Sequence, residues 1–296
     1  MTITKNNRLK MPYGPASDFI LKVLSEYQFH RDYWSEKIPR EEYLKALRKN
    51  SREVNNSLLN DEHLCWLARE YPPDFDKNAL SIFSNLVSQK LLRGVDNSLM
   101  NYYGKFRNIV SRRFNHGNNH TFIQPDEAHL LYLISMSKMP LSMIAIGSYY
   151  GYWAVWAMPG VHAVGGRAVL IDPNRKVCRL AKSNFERMNF KKITRIFASK
   201  AEDVLPKINE PADLVFLDAS GSHDSRNKSY RGKGIYSFLI DMIWEKMARD
   251  SILVVHNDKP SKNKDDILKP FHRFCVEHFR HSFYAPTSEG VGIYWK

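Results

Sequence analysis

Apolar residues in the first hundred-odd positions recur at three- and four-residue spacing, which predicts helices over Ala16 to Tyr27, Arg40 to Lys49, Asp61 to Glu70 and Leu80 to Arg93. Ser17 and Asp61 stand at N-cap positions, and Pro72-Pro73 closes the third segment. The polar run Asn115 to His120 then interrupts the pattern; it reads as a solvated linker and sets a boundary near residue 119. From Thr121 onward short apolar blocks alternate with helical stretches, the pattern of a parallel sheet covered on both faces. Strands are predicted at Ser142 to Ile146, Ala168 to Asp172, Ile193 to Ala198, Leu214 to Asp218 and Ile252 to His256. Helices are predicted at Tyr152 to Met158, Arg175 to Asn189, Lys200 to Leu205, Gly234 to Ala248 and Lys264 to Phe279. Two last strands, His281 to Tyr284 and Val291 to Trp295, are joined by so short a turn that they must run antiparallel. The expectation is an α/β chain: a helical region over 1–119 and a mostly parallel sheet domain over 120–296.

One stretch tests that picture. Met139 to Gly166 holds 28 residues without Asp, Glu, Lys or Arg, enough on length alone to span a bilayer. Two prolines and five glycines break it, and Ser148-Tyr149-Tyr150 divides its apolar residues into two blocks. A strand, a glycine turn and a buried helix fit better, so no membrane partner is expected. Length and composition, 296 residues with 43% hydrophobic, are those of a folded chain able to bury its own core. Lys and Arg outnumber Asp and Glu by 44 to 31, a net +13 that keeps nucleic acid and other anionic partners in view. The first 119 residues carry 19 of the basic and 13 of the acidic groups, so the excess is spread out rather than gathered in an arm. Cys65, Cys178 and Cys275 form no C-x-x-C pair, and no apolar segment follows the first basic residues; a cytoplasmic enzyme is expected.

Ligands of open α/β sheets sit at the carboxyl ends of the strands. After the first such strand comes Gly147-Ser148-Tyr149-Tyr150-Gly151, where glycines admit a close backbone approach and a helix begins. The second strand ends in Asp172, 25 positions after Gly147, placed to accept hydrogen bonds from ribose hydroxyls. G-x-x-x-G is not the dinucleotide fingerprint G-x-G-x-x-G, which disfavours nicotinamide and flavin. A small-residue turn at Ser199, Lys200 and Ala201 follows the third strand and offers backbone to an adenine.

The segments IAIGSYYGYWAVWA, LIDPNRKVCRLAKSNFERMN, SKAEDVLPKI, LVFLDAS and SILVVHND resemble, in order and spacing, the S-adenosylmethionine-dependent O-methyltransferases of the catechol and caffeoyl-coenzyme A type. IQPDEAHLLYLI is similar to the helix leading into that family's first strand, and APTSEGVGIYWK to its closing hairpin. The likeness covers about Thr121 to Lys296 and implies a Rossmann-like methyltransferase sheet. It implies that Gly147, Ser148, Tyr149 and Gly151 surround the methionine end of S-adenosylmethionine, that Asp172 binds its ribose, and that Ser199 to Ala201 contact adenine.

The catalytic half departs from the pattern. Metal-dependent members end the fourth strand with Asp and the fifth with an Asp-Asn pair, which together hold a divalent ion. Here Asp218 is followed by His256-Asn257, so the resemblance implies a metal or substrate-orienting cluster of Asp218, His256 and Asn257, taking Mg²⁺, Mn²⁺ or Fe²⁺. The alternative is a strand-end histidine making an ordinary hydrogen bond. The family's Lys three residues after the fourth-strand Asp is Gly221 here, and His223 is the nearest candidate base, with Asp224 the alternative. Arg226, Lys228, Arg231 and Lys233 in the same loop either meet an acidic substrate or form a solvated face. Trp153, Trp156 and Phe185 read as core, and the basic-aromatic run around Lys105 to Phe114 as an amphipathic helix. Together these imply O-methylation of a small-molecule hydroxyl, with the helical region as lid, substrate or homodimer surface. The rivals are an RNA or other anionic macromolecular acceptor, a binding module without catalysis, and a metal-dependent non-methyl reaction such as hydroxylation.

Overall fold

The computed structural model describes residues 24–35, 37–38, 42–43, 46, 49–50, 75–117, 119, 123–258, 267–287 and 289–296. Its sheet has seven strands: β1 (Ser142–Ile146), β2 (Arg167–Ile171), β3 (Thr194–Phe197), β4 (Ala212–Leu217), β5 (Met247–His256), β6 (His281–Ala285) and β7 (Val291–Trp295). They lie in the order β3-β2-β1-β4-β5-β7-β6. β1 pairs with both β2 and β4 in parallel, and β7 runs antiparallel to both β5 and β6. This is the expected Rossmann-like sheet, and the order reverses beside β1, so a crevice opens where the chain leaves β1 and β4.

Among the described residues the helices are α1 (Gln28–Trp34), α2 (Phe75–Ser88), α3 (Asn97–Arg113), α4 (Pro125–Lys138), α5 (Tyr152–Val155), α6 (Met158–Ala163), α7 (Arg175–Arg187), α8 (Ala201–Val204), α9 (Tyr236–Lys246) and α10 (Lys269–His278). Successive side chains of a strand point to opposite faces, and the core divides accordingly. Met143 and Ala145 of β1 face α2 to α7, packing with Phe83, Phe106, Tyr132, Trp156 and Phe185. Ile144 and Ile146 face the opposite side, with Leu239, Ile240 and Phe271 from α9 and α10. Trp156 and Phe185 are thus core residues, as the spacing indicated, and Trp153 is buried too but also borders the cavity at the strand ends. α3 is the amphipathic helix expected of the Lys105 to Phe114 run, with Tyr103, Phe106 and Val110 inward and Lys105 exposed. None of the helices is long and apolar enough to cross a membrane, again among the described residues.

The predicted helices at Ala16 to Tyr27 and Arg40 to Lys49 lie mostly, and that at Asp61 to Glu70 wholly, outside the described residues. The helix predicted as Leu80 to Arg93 begins earlier, at Phe75. That predicted over Tyr152 to Met158 is two short helices, the second starting with Pro159 in its first turn, where the missing N–H costs nothing. β5 begins at Met247, inside the predicted helix end, because Met247 pairs with Ala212 of β4.

Candidate active site

A cavity of about 870 Å³ opens at the carboxyl ends of β1, β2, β4 and β5. Its volume falls in the range of about 300–1,000 Å³ usual for small-molecule sites. One wall is the turn after β1. Gly147 has φ +71°, and a Cβ there would come within 2.5 Å of the Ala219 backbone; only glycine lets the two strand ends meet this closely. Gly151 caps α5 at φ +87° with the Phe185 ring against it. Between them Tyr149 holds φ +50°, an uncommon conformation for a side-chain-bearing residue, and its N–H donates to Asp172 Oδ2 at 3.0 Å.

Asp172 Oδ1 accepts from Asn174 N–H at 2.9 Å, so each carboxylate oxygen has one backbone donor and a free lone pair. Burial, with a contribution from Asp218, raises the Asp172 pKa above the ordinary value, against the pull of those two N–H groups. A carboxylate so placed is prepared to accept two hydroxyl donors from a ligand. Ser148 Oγ and Trp153 Nε1 are both buried at this cavity without a hydrogen-bond partner. Buried polar atoms left unpaired are costly, and a polar ligand would satisfy them. Lys200 and Ala201 line the same space; Ser199 does not, its Oγ lying 3.4 Å from Asp203 Oδ2.

The other half of the cavity is built around charge. Asp218, at the end of β4, receives Lys233 Nζ at 2.5 Å and His256 Nδ1 at 3.1 Å on the same oxygen, Oδ1. The other ring nitrogen, His256 Nε2, lies 3.2 Å from Oε2 of Glu127, a wholly buried residue of the first turn of α4. Glu127 Oε1 is held by Thr287 Oγ and Glu289 N–H, and Oε2 also caps Gln124 N–H. Burial disfavours charge on the His256 ring, but the carboxylates of Asp218 and Glu127 overcome it and lift its pKa from 6.5 to about 10. Burial likewise opposes charge on Asp218, yet the His256 imidazolium and the Lys233 ammonium bring its pKa down to about 2.

Asp218, His256 and Asn257 all line this cavity, but the His256 ring is turned between two carboxylates. With both carboxylates ionised each ring nitrogen faces an acceptor and carries a proton, which leaves the ring no lone pair for an ion. Asn257 sits at φ +56° with its Nδ2 donating to Glu289 Oε2, and among the described residues no group of three or more His, Cys, Asp or Glu could hold a metal. The neighbouring Asp258 is drawn into a separate buried contact with His272 Nε2 and Tyr294 OH. His223 is exposed and is not among the residues lining the cavity, whereas Lys233 is. Asp224, the other candidate base, is exposed as well. The Asn115 to His120 run is more than a solvated linker: Asn115 exchanges hydrogen bonds with Asn184, His116 Nδ1 meets Tyr150 OH at 3.0 Å, and Asn119 Oδ1 accepts from Tyr149 OH.

Sequence reasoning missed Glu127 and passed over Lys233 as one of several loop cations. The Q-P-D-E string marks Glu127 as a helix-capping residue, a role that it does fill, and that signal hides the second one.

Residues 144–257 match a family model described as "Methyltransferase domain". A catechol O-methyltransferase of Niastella koreensis is 26% identical over 101 residues, 33% of this chain and 45% of that protein. The chain thus spans less than half the length of that relative. Solved structures with a similar fold include an O-methyltransferase from Bacillus cereus in complex with SAH, at 16% identity and TM-score 0.47, covering 75% of this chain and all of that one. A putative O-methyltransferase from Klebsiella pneumoniae gives 13% identity and TM-score 0.48, covering 73% and 96%.

Proposed function

We propose that this chain, whose residues 144–257 match a family model described as a methyltransferase domain, transfers a methyl group from S-adenosylmethionine to a hydroxyl of a small molecule. The observation that carries the reading is Asp172: a buried carboxylate at the tip of β2, with a free lone pair on each oxygen, beside a glycine turn and an unpartnered Ser148 hydroxyl. These groups fit the cofactor. Asp172 would hold the ribose hydroxyls, Gly147, Ser148, Tyr149 and Gly151 the amino-acid end, and Lys200 and Ala201 the adenine, with Ser199 at the rim of that turn.

When bound, the cofactor supplies a methyl group activated by its positively charged sulfur. The chain has then to position an acceptor oxygen in line with that methyl and to exclude water. Asp218, which lines the cavity between its two halves, would accept the acceptor hydroxyl's hydrogen bond. A low carboxylate pKa does not disqualify it as the proton's destination, because an oxygen forming its new bond to carbon becomes strongly acidic. Lys233 faces the negative charge that develops on the acceptor oxygen if the proton leaves early. The aromatic wall of Tyr149, Tyr152 and Trp153, with Ile123, shapes an apolar acceptor volume; Asn119 and His116 brace it from the helical region before residue 120.

The test is calorimetric titration of S-adenosylhomocysteine into the wild type and Asp172→Ala. Micromolar binding that disappears in Asp172→Ala is expected. Absence of binding to a folded wild type would remove the methyltransferase reading and leave the fold alone.

A further inference from the structure

Resting on that reading, we infer that the His256 imidazolium and the Lys233 ammonium stand in the place of a divalent ion, so that the acceptor half of this site works without metal. The geometry points to this from three sides. Both nitrogens of His256 face carboxylate oxygens, Asp218 Oδ1 at 3.1 Å and Glu127 Oε2 at 3.2 Å, so with both carboxylates ionised the ring donates from each side. The ring is a wedge between the two carboxylates: they cannot close on one ion, which needs oxygens at about 2.0–2.1 Å for Mg²⁺. Asp218 Oδ1 also carries Lys233 Nζ at 2.5 Å, so one oxygen of that carboxylate is already shared by two cationic donors.

Two cations are already in place: His256 and Lys233 stand among the carboxylates of Asp218, Glu127 and Glu289. A divalent cation approaching Asp218 would meet both, with His256 only 1% exposed and unable to swing into solvent. Asn257 Nδ2 donates to Glu289, and Asp258 is held by His272 and Tyr294. Tyr236 OH donates to the His256 carbonyl and fixes the strand end from below. The Trp153 ring packs 5.2 Å from the imidazole on the cavity side. Lys233, on a long side chain with part of its surface toward the cavity, is the cation that an acceptor oxygen can reach.

The experiment uses the full chain labelled with ¹⁵N-histidine, with His256 identified by nuclear Overhauser contacts to the Trp153 indole. At a pH near 8, well above the ordinary imidazole pKa of about 6.5, both ring nitrogens of His256 are expected to carry protons. Their signals should be unchanged by millimolar Mg²⁺ and should keep their linewidth in micromolar Mn²⁺. A neutral His256 ring, or selective broadening of its signals by Mn²⁺, would overturn the inference. The readout needs neither cofactor nor acceptor, so it fails independently of the methyltransferase reading. Loss of S-adenosylhomocysteine binding with an intact imidazolium removes that reading; binding with a metal-sensitive His256 removes this one.

Discussion

The buried imidazolium makes stability depend on alkali in a defined window. Folding raises the His256 pKa from 6.5 to about 10, which at about 1.4 kcal/mol per tenfold change corresponds to a ceiling near 5 kcal/mol. Because the folded-state value is the higher one, this contribution is fully present below pH 6.5 and is lost as pH rises through about 10. Between pH 7 and 8.5 the linkage removes about 2 kcal/mol of unfolding free energy. From the Asp218 side the contact is smaller, since 3.8 to about 2 is roughly 2 kcal/mol. Burial works against that carboxylate, and His256 also answers to Glu127, so the smaller figure is the one to apply to Asp218→Asn. The assay is urea unfolding of the wild type and Glu127→Gln at several pH values. Measurements stop below pH 9, because burial pushes the Cys178 thiol from 9.0 to about 11 and ionisation of that thiol in the unfolded chain would add its own loss. Glu127→Gln breaks one partner of a buried pair and should cost about 3–5 kcal/mol, with a shallower pH slope than the wild type. A wild type whose stability is flat from about pH 7 to 8.5, or equal slopes in the two proteins, would refute the imidazolium.

Other outcomes follow from the same contacts. Gly147→Ala forces a Cβ within 2.5 Å of the Ala219 backbone at φ +71°, so S-adenosylhomocysteine affinity should fall at least tenfold by calorimetry. Gly151→Ala meets the Phe185 ring at 2.6 Å at φ +87° and should lower the unfolding free energy by about 1–3 kcal/mol in urea. Tyr294→Phe removes the hydroxyl that donates to the buried Asp258 and should cost about 1–3 kcal/mol while leaving cofactor binding intact.

The parts of the molecule legible from sequence are those where periodicity and a local exception coincide. The apolar block of β1 followed by Gly147 and Gly151 located the crevice, and Asp172 fell where a strand tip demands it; all three are properties of one short segment each. The acceptor half is not local. Glu127, Asp218, Lys233 and His256 come from a helix start, a strand end, the first residue of a 3₁₀ turn and another strand end, and no spacing along the chain links them. His256 therefore read as a ligand substituted into a metal motif, whereas in three dimensions its neighbours make it the cation. That reversal can be tested by putting back the family's residue. His256→Asp removes the wedge between Asp218 and Glu127 and the positive charge with it, leaving three carboxylates, with Glu289 beside them, against Lys233 alone. Such a cluster is repulsive without a counterion and offers oxygen donors, the chemistry that suits Mn²⁺ and Mg²⁺. The variant should be less stable than the wild type in chelator and should recover stability as Mn²⁺ is added. The wild type should not respond. A folded His256→Asp protein indifferent to Mn²⁺ would mean that the wedge is not what separates this site from a metal site, and that Lys233 by itself excludes the ion.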